Sequence, residues 1–131
     1  MALITWTEDQ FGVGVGFADD QHKVLFGLLN TLHETAAGSD RAQTGKDLDA
    51  LIGYVVEHFQ NEENEMKAKG YSDYESHKAF HDKLVEKCAG VQTQFHAGDE
   101  VAMQEVTLLV KDWLDNHIPT QDRAYEPCLN G

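Results

Sequence analysis

Four apolar stripes run through this chain, each stepping by three and four residues and each carrying its polar residues at one end. The first reads His22, Leu25, Leu29, Leu32; the second Leu48, Leu51, Val55, His58, Glu62. The third reads Tyr74, His77, His81, Leu84, Cys88, Val91, Phe95; the fourth Met103, Val106, Val110, Trp113, His117. Residues three and four apart share one helix face, so each stripe is a seam of the kind that closes a bundle. The polar residues open the first and third seams and close the second and fourth. In an up-down-up-down arrangement those four ends lie at one height. The pattern predicts an all-α fold, an antiparallel up-down-up-down four-helix bundle with an irregular N-terminal arm.

Local punctuation agrees. The arm carries Gly12, Gly14 and Gly16, which disfavour regular helix. The first helix is expected from about residue 20 to 37, stopping at Gly38. The second follows Ser39-Asp40, a good cap, and ends before Gly70. Ser72-Asp73-Tyr74-Glu75 has the form of a capping box for the third, and Gly98 ends it. Asp99 is expected to cap the fourth, and Pro119 to stop or kink it. No segment reads as a strand. A chain of 131 residues fits a single domain, 1–131, with an arm of about 1–18, a bundle of about 19–118 and a C-terminal segment 119–131.

Charge narrows the function classes. With 23 acidic against 10 basic residues, the formal charge is −13. This argues against nucleic acid as a partner, and against anionic membrane surfaces. No apolar run approaches the length of a membrane span, so no membrane insertion is expected. The N-terminus has no basic region and too short an apolar stretch for a signal peptide, which points to a cytoplasmic protein. Cys88 and Cys128 make no disulfide framework; Cys88 lies on the third seam and is expected buried and reduced. The exposed helix faces are mostly charged, which favours a monomer.

The polar ends of the seams carry the chemistry. They are His22, His58 with Glu62, His77 with His81, and His117 with Asp122. Burying five imidazoles and two carboxylates at one level without a cation costs several kcal/mol in desolvation. Two carboxylates in one dry pocket also raise each other's pKa. Cations remove both problems. Imidazole and carboxylate without thiolate suit iron, manganese or zinc. Seven ligands exceed what one zinc takes, and two ions bridged by two carboxylates use all seven. A nitrogen-rich shell that lets the pair cycle between divalent and trivalent states points to iron. The chain has no Glu-x-x-His, the paired motif of ferritin-like di-iron proteins. Lys78-Ala79-Phe80 stands between His77 and His81, so the glutamate of a His-Glu-x-x-His metalloprotease is missing too. His33 and His96 fall outside the cluster by register and belong to the surface or rim. Five residues separate His117 from Asp122, a rotation of about 140° on an unbroken helix. A break at Pro119 would let the carboxylate turn back.

On these residues the chain resembles a bacterial hemerythrin. The matching positions are Trp6 and the glycine-containing arm, Asp20-Gln21-His22, His58-Phe59 with Glu62-Glu63 and Met66, His77-x-x-x-His81, and Trp113-Leu114 with His117-Ile118 and Asp122. The resemblance implies a non-heme di-iron centre that binds dioxygen reversibly, for storage, transport or delivery. His77, His81 and His117 are then expected on one iron and His22 and His58 on the other, which keeps one position open. Glu62 and Asp122 bridge the two iron ions together with an oxo or hydroxo oxygen, and dioxygen is held as hydroperoxide at the five-coordinate iron. Leu114 is expected to line the oxygen pocket, with Phe59, Trp113 and Ile118 around it. The chain is expected not to be an enzyme. Two other readings stay open: an oxygen or redox sensor acting on a separate protein, and a di-iron enzyme acting on peroxide or nitric oxide. No motif identifies an oxygen-consuming partner.

Overall fold

The computed structural model describes residues 2–130. Four long helices form the antiparallel bundle: α2 (Gly16–Ala36), α3 (Arg41–Ala68), α4 (Tyr74–His96) and α5 (Met103–His117). A short α1 (Glu8–Phe11) precedes them. A widened turn of π-helix (Ile118–Asp122) and a last short helix, α6 (Glu126–Asn130), follow. Among the described residues there is no strand. The helix α3 packs on both α2 and α4, and α5 returns against α2.

The seams bury as their spacing requires. Leu25, Leu29 and Leu32 of α2, Leu48, Leu51 and Val55 of α3, Leu84 and Cys88 of α4, and Val110 of α5 are all buried. Burying each large apolar side chain contributes roughly 1.5–3 kcal/mol. Two seam assignments differ in α5. Val106 and Trp113 are only half-buried, whereas Thr107 and Leu114, one position on, are buried. The helix is rotated so that the Thr107 hydroxyl can bond inward, accepting from His33 Nδ1 at 2.9 Å. At Gly45 a Cβ would stand 3.0 Å from the Phe95 ring, so a side chain here would press on the α3–α4 contact.

Helix ends show where local signals misled. Asp40 caps α3 by accepting from Gln43 N at 3.0 Å. The expected capping box does not form. The helix α4 begins at Tyr74 behind Asp73, which makes no side-chain cap, leaving Ser72 one residue too early. Asp99 does not cap α5 either, since that helix begins at Met103 behind Ala102. Asp99 instead completes the end of α4. Gly98 turns at φ +93°, its N–H bonds Phe95 O at 3.1 Å, and Asp99 N–H bonds Gln94 O at 3.1 Å. These paired bonds satisfy the last carbonyls of the helix.

The N-terminal arm is more ordered than three glycines suggest. Helix α1 forms within it, and α2 starts at Gly16, earlier than expected. Asn30 exchanges two hydrogen bonds with the Ile4 backbone, at 2.8 and 2.9 Å. Phe11 meets Phe26 edge to face at 4.8 Å. Arg123, next to Asp122, donates to the Gly12 and Gln10 carbonyls at 3.2 Å. The arm is thereby tied to the turn that carries Asp122.

Leu29 is fully buried at mid-bundle and Val24 is 46% exposed. Denaturant unfolding of the metal-free protein should show Leu29→Ala destabilised by about 3 kcal/mol. Val24→Ala should stay within about 0.5 kcal/mol.

Candidate metal centre

Each long helix delivers its donors from the same end of the bundle. His22 comes from the start of α2, His58 and Glu62 from the late half of α3, His77 and His81 from the start of α4, and His117 from the end of α5. The i, i+4 pairs on α3 and α4 stack one turn apart and point inward. Asp122 reaches the centre by a route the sequence left open. The chain does not break at Pro119 but widens, and Arg123 N–H bonds Ile118 O across five residues. In such a turn residues five apart come round to the same side, so Asp122 rejoins His117. Pro119 has no N–H to lose from the normal ladder, which makes the widening cheap there.

All seven residues meet, and all are buried, with His117 the most exposed at 5%. Their donor atoms fall into two overlapping groups. One is Glu62, His77, His81, His117 and Asp122; the other is His22, His58, Glu62 and Asp122. Glu62 and Asp122 belong to both, which is the geometry of bridging carboxylates. The Asp122 carboxylate stands 2.9 Å from His77 Nε2 and His117 Nε2 through Oδ1, and 3.1 Å from His22 Nε2 through Oδ2. Glu62 stands 3.2 Å from His81 Nε2 through Oε1, and 3.3 Å from His58 Nε2 through Oε2. The second group has one donor fewer.

The donor set fits cations. His22 Nε2, His58 Nε2, His81 Nε2, Glu62 Oε1 and Asp122 Oδ1 are buried with no hydrogen-bond partner. Such atoms are expensive to leave unsatisfied, and a metal is what satisfies a nitrogen and an oxygen facing one point. The outer ring nitrogens hold the rings in the required tautomer. His58 Nδ1 donates to Gln21 Oε1 at 2.7 Å, and His81 Nδ1 donates to Glu63 Oε2 at 2.9 Å. With Nδ1 carrying the proton, Nε2 is free for a metal.

Aromatic side chains wall the site. Phe59 stacks flat on His81, 3.8 Å between centroids, and Trp113 stacks on His117 at 4.0 Å. Leu114 and Ile118, next in sequence to Trp113 and His117, are buried. Spacing alone missed three residues: Gln21, Glu63 and Tyr125. Tyr125 is fully buried and its hydroxyl donates to Glu62 Oε2 at 2.6 Å. Only its place three residues after Asp122 hinted at it. His33 is half-buried and His96 exposed, both away from the centre.

Electrostatics follow from this crowding. Burial opposes charge at Glu62, but the surrounding imidazoles outweigh it and hold the carboxyl well below its usual range. Asp122 is held down in the same way, against burial and the charge of Glu62, by His117 and His22. Burial likewise disfavours charge at His22 and His81, yet the carboxylates they face raise them to about 10 and about 9. Burial wins at His117 and lowers it. The Tyr125 phenol is pushed up by burial and by Glu62 and Asp122, so it keeps its proton.

A family model for the hemerythrin HHE cation binding domain matches residues 13–129. Bacteriohemerythrin of Methylococcus capsulatus (Bath) is 58% identical over 130 residues, covering 99% of both chains. A wild-type hemerythrin crystal structure is 57% identical and covers 99% of this chain and all of the other, with a TM-score of 0.97. A hemerythrin crystallised as an L114Y mutant covers both chains fully at 56% identity, with a TM-score of 0.98.

In the metal-free protein His22 and His81 titrate near 10 and 9, above the 6.5 of an unperturbed imidazole. Their protonation therefore stabilises the metal-free fold fully below about pH 6.5, and that contribution fades as pH rises through 9 to 10. A metal needs the neutral rings, so binding at pH 7 expels protons. Chelator competition with Co(II) between pH 6.5 and 8.5 should show log affinity climbing by about one per pH unit for each imidazolium displaced. A flat profile contradicts these assignments.

Proposed function

The chain belongs to the hemerythrin family, and on that premise we propose that its buried centre holds two iron ions and binds dioxygen reversibly. The observation that carries this reading is the division of seven buried donors into a group of five and a group of four sharing both carboxylates. In this reading His77, His81 and His117 would hold one iron, and His22 and His58 the other. Glu62 and Asp122 would join them, with an oxo or hydroxo oxygen between. When bound, the two irons supply the two electrons that carry dioxygen to the peroxide level and take them back on release.

The protein's own residues would keep that exchange reversible. Phe59, Trp113, Leu114 and Ile118 exclude water from the imidazoles. Reversibility also needs the absence of a free acid that could protonate the bound oxygen. The buried acid nearest the carboxylates, Tyr125, commits its hydroxyl proton to Glu62 Oε2 at 2.6 Å. An acid engaged in this way favours a carrier over an enzyme turning over peroxide or nitric oxide. Among the described residues no helix is long and apolar enough to cross a membrane.

The test is the visible spectrum of reduced, iron-loaded protein, taken without oxygen and then in air, with iron counted per chain. Two irons and a colour that appears in air and vanishes under vacuum are expected. Irreversible oxidation with release of peroxide contradicts a carrier.

Leu114 is 2% exposed and follows Trp113, whose ring stacks on His117. Leu114→Tyr or Leu114→Asn should speed autoxidation by bringing in a proton donor or water. A similar fold in the L114Y mutant hemerythrin supports the tyrosine variant as a folded one. An unchanged autoxidation rate removes Leu114 from the pocket's role.

A further inference from the structure

The two halves of the donor set differ in the charge behind their imidazoles. On one half, His81 Nδ1 donates to the carboxylate of Glu63 at 2.9 Å, with Glu63 8% exposed. On the other, His58 Nδ1 donates to the neutral amide oxygen of Gln21 at 2.7 Å. His22 Nδ1, on that same half, is buried with no hydrogen-bond partner. Glu63 itself belongs to neither donor group. It faces the outer edge of the His81 ring, whose flat face is covered by Phe59. The nearby ammonium of Lys78 is engaged by Asp82 at 2.8 Å and does not pair with Glu63.

An anionic acceptor draws the Nδ1 proton outward and leaves more electron density on the ring, so Nε2 becomes a stronger donor that favours the higher metal charge. A neutral acceptor does this less, and an unpartnered N–H least. We propose that Glu63 is a positioning residue that makes the ion on the His77–His81–His117 side the more easily oxidised of the pair, while Gln21 leaves the His22–His58 side the harder to oxidise. The inference rests on the two-iron reading above. The side with the open position then retains its electron longer.

The redox step is simple: one ferrous ion becomes ferric, its electron passes to a mediator dye, and no atom is transferred. The test is an anaerobic potentiometric titration of the iron-loaded full chain, with iron counted in each sample. The wild type should oxidise in two one-electron steps. Glu63→Gln keeps the hydrogen bond but removes the charge, and should raise the lower-potential step. A change of about tenfold in its equilibrium constant is expected, about 59 mV for one electron. Gln21→Glu should lower the higher-potential step and draw the two together. This second variant decides the matter if Glu63→Gln does not fold. Two irons per chain with both potentials unmoved in the variants overturns the inference and leaves the two-iron reading standing. So does a single unsplit two-electron step in the wild type. Fewer than two irons in the wild type overturns both.

Discussion

Five imidazoles and two carboxylates, taken out of water at one end of a helical bundle, set the terms for the rest of this molecule. Ionised groups in a dry interior are costly unless opposite charges and directed donors surround them. Here each carboxylate touches several rings, and the Nε2 atoms left without partners, on His22, His58 and His81, face Glu62 and Asp122. The apolar seams supply the free energy that holds this polar cap together. The aromatic walls keep water from relieving it.

The bundle was legible because a three-and-four spacing has one structural meaning. The convergence of donors was legible because alternating ends of four antiparallel seams must meet. What the sequence hid lies between helices rather than along them. Glu63 sits beside Glu62 and breaks the seam spacing, yet it reaches His81 across the α3–α4 contact. Gln21, beside His22, crosses from α2 to α3 in the same manner. Tyr125 follows the widened turn, and no helical spacing foretells where such a turn sends its side chains. Helix ends misled for a local reason: Asp99 has the composition of an N-cap, but the glycine before it recruits it to finish the preceding helix.

Asp122 shows how sequence, backbone and chemistry connect. Five residues from His117 is the wrong interval for a regular helix and a workable one for a wider turn. Proline, lacking an N–H, sits inside that turn. The arm then fastens the turn from outside, through Arg123 and the carbonyls of Gln10 and Gly12. A carboxylate shared by both donor groups is thus held by residues from both termini of the described chain. In the proposed function that shared position is what lets two ions act on one small molecule.

The most direct test is anomalous diffraction at the iron edge from crystals of the iron-loaded protein. Two peaks are expected, one against His77, His81 and His117, the other against His22 and His58, with Glu62 and Asp122 touching both. A single peak, or a second one elsewhere on the chain, contradicts the two-iron reading.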